Sequence, residues 1–171
     1  LEKYLDLLLL ILPFEQKLFK DSPLRTVYIG HPLSETIKLF CPKQNWKERL
    51  HLPTDKPFVA AFPGSRHSDI LRNLTIQVQA FQASDFASTH HLLVSSANPA
   101  YDHLILEILQ QNRCLHSNIV PSQFRYELMR ECDCALAKCG TIVLETALNL
   151  TPTIVTCQLR PLDTFLAKYI F

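Results

Sequence analysis

The chain has 171 residues, 47% of them hydrophobic and 19% charged, which fits one packed domain, or one plus part of another, and excludes disorder. Its 17 Lys+Arg against 16 Asp+Glu leave a net charge of +1, without the basic footprint of a nucleic-acid binder. Only 3 glycines stand against 11 prolines, so the chain is neither collagen-like nor Gly-rich, and a fold of many tight hairpins, whose primed turns need glycine, is disfavoured.

The first element is the apolar run Leu7–Leu12. It is too short to span a bilayer, and Pro13-Phe14-Glu15 follows it rather than a cleavage site, so it reads as a buried parallel strand. A short helix is expected over 14–20, a strand over 26–29 running into Gly30-His31-Pro32, and a helix over 33–40. Residues 41–56 carry polar and charged residues around a short helix (46–50), with Pro42, Pro53 and Pro57 as breaks, and read as a linker. Trp46 with Lys43, Lys47 and Arg49 fits either a solvated face or contact with a membrane surface.

From Pro57 onward strands and helices alternate. Strands are expected at 58–62, 91–94, 118–120, 134–137 and 153–156. Between them, Leu71, Leu74, Val78 and Phe81 mark one helical face, Leu104, Ile105, Ile108 and Leu109 another, and Phe124 with Leu128 a third. A helix over 141–149 precedes the last strand, and Leu162, Phe165, Leu166, Tyr169 and Ile170 stripe a final helix. Strands without a polar face, alternating with helices, predict an α/β fold: a Rossmann-like, doubly wound parallel sheet. The expected organisation is an end of one domain at 1–40, a linker at 41–56 and a Rossmann-like domain at 57–171. The six cysteines contain no C-x-x-C pair and read as buried free thiols of a reducing compartment. The chain opens on Leu1 and closes inside an apolar pattern at Phe171, so it reads as an excerpt of something longer.

Ligands of such sheets bind where strands end and helices begin, which singles out three loops. In Pro63-Gly64-Ser65-Arg66, Gly64 can take a positive φ or admit a ligand to the backbone, Ser65 can cap the next helix, and Arg66 offers a forked cation to phosphate oxygens. The other reading is an ordinary capped helix start with a solvated Arg. This is neither a Walker loop nor G-x-G-x-x-G. In Lys138-Cys139-Gly140-Thr141 through Glu145, a carboxylate one turn below Thr141 can accept hydrogen bonds from both hydroxyls of a ribose diol; alternatively Glu145 is a solvated helix residue. In Val120-Pro121-Ser122-Gln123-Phe124-Arg125, backbone groups, Ser122 and Gln123 can read a base edge with Phe124 beside it, or Phe124 is core. His31 is a further candidate, as a helix cap or a site residue.

Taken in order, Ile11-Leu12-Pro13-Phe14-Glu15, Gly30-His31-Pro32, Pro63-Gly64-Ser65-Arg66 with Asp69, Cys139-Gly140-Thr141 through Leu144-Glu145, Pro152 and Leu166-Ala167-Lys168 resemble the lipid A disaccharide synthases, inverting glycosyltransferases of the GT-B type. The resemblance implies transfer of 2,3-diacylglucosamine from its UDP derivative to 2,3-diacylglucosamine 1-phosphate, giving the β-1,6-linked disaccharide 1-phosphate and UDP. It implies no metal or organic cofactor, the UDP-sugar being a substrate. It implies a cytoplasmic location, peripheral on the inner-membrane surface of a Gram-negative bacterium, with a homo-oligomer as a candidate assembly and no nucleic-acid partner.

By the same resemblance Arg66 is the catalytic arginine at the donor diphosphate, Glu145 binds the ribose, Gly64, Ser65, Cys139, Gly140 and Thr141 line the phosphates, and Ser122, Gln123 and Phe124 lie on the uracil side. Cys139 stands where the family usually has Ser, and Asp69 where it usually has Glu. The acceptor site and general base are expected outside these residues, which leaves a fragment inactive alone, with the 7–12 strand and the 162–170 stripe prone to association. Another GT-B or UDP-sugar 2-epimerase type enzyme, or a non-catalytic α/β nucleotide-binding module, would share the same donor-side loops.

Overall fold

In a computed structural model, described over residues 2–53 and 55–158, the chain divides into two compact units, Leu1–Cys41 and Pro42–Phe171. The final helix expected over 162–170, and the segment Leu166-Ala167-Lys168, lie outside the described residues.

The first unit pairs β1 (Leu7–Leu10) in parallel with β2 (Arg25–Tyr28), joined through α1 (Glu15–Leu18) and followed by α2 (Pro32–Lys38). Glu15 fixes the turn out of β1, its Oε2 accepting from the N–H groups of Ile11 at 3.1 Å and Leu12 at 2.9 Å. The strand is parallel as expected, but its burial is not: Leu10 is buried while Leu7 is 43% and Leu9 52% exposed, because among the described residues this sheet has two strands.

The second unit holds the sheet that decides the architecture. β3 (Phe58–Phe62), β4 (His91–Ser96), β5 (Ser117–Pro121), β6 (Cys134–Lys138) and β7 (Thr153–Thr156) are parallel in the order β5-β4-β3-β6-β7. Numbered within this unit the order is 3-2-1-4-5, the doubly wound Rossmann arrangement. β3 is buried along its whole length, as its five apolar residues require.

The long helix α4 (His67–Gln82) follows β3, then short helices lead to α6 (Asp102–Gln111) between β4 and β5, with α3 (Trp46–Arg49) preceding the sheet and α5 (Phe86–Thr89) between α4 and β4. One core joins Val59, Ala61, Leu92 and Val94 of the strands to Ile70, Leu74, Val78 and Phe81 of α4 and Ile105, Ile108 and Leu109 of α6. The face expected on α4 is rotated by one residue: Leu71 is 44% exposed and Ile70 takes its place. Polar Asn73 and Gln77 complete the buried face, and Gln77 Nε2 donates to Thr156 Oγ1 at 2.9 Å, tying α4 to β7.

On the opposite face lies α7 (Arg125–Glu131), beside the segment expected to be a linker. That segment packs into the second unit. Trp46 is 2% exposed, edge-on to Phe58 (6.2 Å between ring centroids) and stacked on Phe124 (6.1 Å). Its Nε1 donates to Glu131 Oε1 at 2.7 Å, Lys47 pairs with the same carboxylate at 2.8 Å, and the Lys43 N–H donates to Glu127 Oε1 at 3.0 Å. Trp46 is therefore a core anchor, and neither a solvated nor a membrane-facing residue; its indole finds the polar partner that burial demands. The thiols also divide: Cys114 and Cys132 are buried, while Cys41, Cys139 and Cys157 are exposed. Burial pushes the Cys132 thiol up to about 12.

Candidate functional site

α8 (Thr141–Leu148) connects β6 to β7 on one side, while α4 leaves β3 toward β4 on the other. β3 and β6 are neighbours, so their C-terminal ends flank the point where the sheet's winding reverses, the place where a crevice opens in folds of this class. A cavity of about 400 Å³ lies there, within the second unit. Its walls come from the end of β3 and the next loop (Phe62, Gly64, Ser65, Asp69), from β4 (Ser95, Ala97), from the loop after β5 (Ser122, Arg125) and from β6 into α8 (Lys138, Gly140, Thr141, Ile142, Glu145).

Two glycines shape these walls. Gly64 has φ +116°, and a β-carbon there would lie 2.7 Å from Asp69 Cβ, so the β3–α4 loop folds directly against the first turn of α4. Gly140 caps α8 with φ 156° and ψ −163°, a region that is essentially glycine's alone. Both helix starts lack a side-chain cap: the N-cap of α4 is Arg66, and that of α8 is Gly140. Ser65, expected to cap α4, instead lies exposed at the cavity wall. The leading N–H groups of both helices are thereby left for water or for a ligand.

Charge in the cavity is organised in two pairs. Arg125 Nε donates to Glu145 Oε2 at 3.2 Å, Nη2 donates to Tyr126 Oη at 3.0 Å, and the guanidinium lies 4.3 Å from the Tyr126 ring centroid. Burial works against the Arg125 charge, but the bonds to Tyr126 and Glu145 outweigh it and hold the guanidinium above its ordinary value. Across the cavity Lys138 Nζ lies 3.7 Å from Asp69 Oδ2, a looser contact.

Of the residues singled out in the sequence, Gly64, Ser65, Ser122, Gly140, Thr141 and Glu145 come together on this cavity. Arg66 does not line it: the side chain is exposed beyond Ser65 and has no hydrogen bond or ion pair among the described residues. Gln123 is also exposed and off the wall. Phe124 is buried against Trp46, on the core side of its turn, so the placement beside a base is corrected to a packing role. Cys139 is exposed, its N–H donates to the Thr156 carbonyl at 2.8 Å, and it is not part of the cavity wall. In the first unit His31 caps α2, its Nδ1 accepting from the Leu33 N–H at 3.2 Å. Lys138 and Arg125, which stand in the second and third loops singled out in the sequence but were given no role there, are the two cations on the wall. Position at the end of the strand paired with β3 is the signal for Lys138, and it becomes readable only once the strand order is known.

Among the described residues no group of three His, Cys, Asp or Glu side chains can hold a metal, and no helix is long and apolar enough to cross a membrane.

The chain is 90% identical over its whole length to a lipid-A-disaccharide synthase of Chlamydia trachomatis serovar D and 65% identical to one of Chlamydia caviae, spanning 28% and 27% of their lengths. It is 30% identical, over 98% of its own length and 43% of the relative's, to a lipid-A-disaccharide synthase of Paramagnetospirillum magneticum. A crystal structure of the pneumococcal O-GlcNAc transferase GtfA in complex with UDP and GlcNAc aligns with a TM-score of 0.54 and 12% identity over 94% of this chain and 32% of that one, a likeness of fold alone. The profile of one family, lipid-A-disaccharide synthetase, matches residues 1–171, and the chain belongs to that family.

Proposed function

We propose that the cavity at the β3/β6 switch point takes the UDP portion of a nucleotide sugar, and that the chain is the donor-binding part of a lipid A disaccharide synthase. The whole enzyme would move 2,3-diacylglucosamine from UDP-2,3-diacylglucosamine to 2,3-diacylglucosamine 1-phosphate, releasing UDP and the β-1,6-linked disaccharide 1-phosphate. The observation that carries this is the meeting of two uncapped helix starts, those of α4 and α8, with the Glu145 carboxylate one turn inside α8. Helix-start N–H groups suit a diphosphate, and a carboxylate that only accepts suits a ribose diol.

In this reading Gly64, Ser65, Gly140 and Thr141 border the phosphates and Glu145 takes the ribose hydroxyls. Arg66, exposed at the mouth of the same loop, meets the β-phosphate as charge grows on the leaving UDP, an interaction stronger in the transition state than in the ground state. Residues 1–40 belong to the end of the acceptor-side domain and 57–171 to the donor domain, so the acceptor sugar and general base are supplied from outside this chain. Both substrates carry acyl chains, which suits work at the cytoplasmic surface of the inner membrane.

Calorimetric titration of the folded chain with UDP tests the reading. Saturable binding, weakened at least tenfold by Arg66→Ala, is expected; a folded chain that takes up no UDP refutes it. Activity of the longer natural protein on acylated but not unacylated UDP-glucosamine separates this family's reaction from that of other GT-B or epimerase-type enzymes.

A further inference from the structure

We propose that Lys138 is the cation that holds the anionic group of the ligand in this cavity, with Asp69 as the counter-ion that the ligand displaces. The proposal deepens the nucleotide-sugar reading and rests on it for the ligand's identity, but the argument for a phosphate anion stands on the charges themselves.

Two cations line the cavity, and they are held differently. Arg125 is committed: Glu145, Tyr126 and the Ser122 carbonyl, at 3.2, 3.0 and 3.5 Å, occupy its nitrogens. Lys138 has one partner among the described residues, Asp69 at 3.7 Å, beyond hydrogen-bond distance. Its ammonium is a compact point charge on a flexible stem, 32% exposed, with its N–H groups available.

The ammonium's position is electrostatically frustrated. Nζ lies 4.0 Å from where a β-carbon on Gly140 would stand, so it sits over the start of α8, the positive end of that helix. A cation there repels the helix start, and a single loose carboxylate offsets this only in part. An anion between Nζ and the leading N–H groups of α8 satisfies both. Asp69 lines the same cavity and stands close enough to Gly64 that a β-carbon there would lie 2.7 Å from Asp69 Cβ, so its carboxylate faces the ligand as the counter-ion that an incoming anion displaces.

The test uses the 171-residue chain, checked for folding by circular dichroism, and three probes: UDP, uridine and inorganic pyrophosphate. Lys138→Gln should weaken UDP and pyrophosphate by about tenfold or more and leave uridine unchanged, with Lys138→Arg recovering part of the loss. Asp69→Asn should act with the opposite sign and tighten both phosphate ligands several-fold. A purely structural Lys138–Asp69 pair predicts that both variants loosen the loop and weaken binding alike, and that result overturns the proposal. Unchanged UDP affinity in Lys138→Gln overturns it too, while leaving the nucleotide reading intact. Lys138-dependent binding of pyrophosphate without any binding of UDP or uridine supports the anion site and refutes the nucleotide reading. A folded wild-type chain that binds none of the three refutes both.

Discussion

Adding one methyl group at Gly64 should cost far more than adding one at Gly140, although both glycines edge the same cavity. At Gly140 the penalty is conformational: φ 156° with ψ −163° is a glycine region, and holding an alanine there costs of order 1–3 kcal/mol. Space is not limiting, since the nearest atom is the mobile end of Lys138 at 4.0 Å. At Gly64 the backbone is also left of the ordinary region, with φ +116°, and in addition the new carbon would stand 2.7 Å from Asp69 Cβ. That atom belongs to the first turn of a 16-residue helix and cannot swing aside like a lysine tip. Relieving the overlap means shifting the loop or the helix, which adds about 1–3 kcal/mol of overpacking. Gly64→Ala should therefore lose about 2–6 kcal/mol, against about 1–3 for Gly140→Ala. Urea unfolding followed by the fluorescence of Trp46, the single tryptophan, reads the second unit directly because that indole is buried in it. Equal losses for the two variants would show that the contact with Asp69 does not constrain the loop and would refute the steric argument.

Two other outcomes follow from packing and protonation. Trp46→Phe should keep the aromatic stack on Phe124 but lose the bond to Glu131, costing about 1–3 kcal/mol, whereas Trp46→Ala should cost about 3–5; urea midpoints followed by far-ultraviolet circular dichroism that did not move in either variant would contradict a core role. Burial lowers the pKa of His91 below its ordinary 6.5, against a smaller upward pull from Asp55, and its Nδ1 is buried with no hydrogen-bond partner among the described residues. The unfolded chain then binds the proton first, so stability is fully present above pH 6.5 and falls as pH drops below it. Chemical denaturation between pH 7.5 and 5.5 should show that slope, and His91→Phe should flatten it; a stability that rises on acidification would contradict the assignment.

The parallel sheet was legible because its strands are short apolar runs bounded by proline, glycine and polar residues: Phe58–Phe62 and Thr153–Thr156 lie where the pattern puts them. Local pattern was less able to say which face of a helix meets the core. Leu71 and Ile70 are both apolar and adjacent, and buried Asn73 and Gln77 rotate the face toward Ile70 in a way that hydrophobicity does not signal. Trp46 looked like a surface residue because lysines and an arginine surround it; its burial depends on Phe58 and Phe124, the latter 78 residues away in sequence, and on a carboxylate from α7. At the site, the glycine loops and Glu145 were readable as strand-to-helix transitions. The roles of Lys138 and Arg125, which stand in the same loops, were not, because they come from the adjacency of β3 and β6 and from pairing with Asp69 and Glu145, relations carried by topology rather than by spacing. All three glycines have positive φ, so their scarcity in the sequence did mark where the backbone turns sharply.

UDP is expected to enter the crevice between the ends of β3 and β6. Backbone amide resonances of the isotopically labelled chain, followed during titration with UDP, test it most directly. The account predicts saturable shifts concentrated at Gly64, Ser65, Lys138, Gly140, Thr141 and Glu145, with the amides of β1 and β2 unmoved. Shifts confined to other surfaces, or none at all in a folded chain, would contradict it.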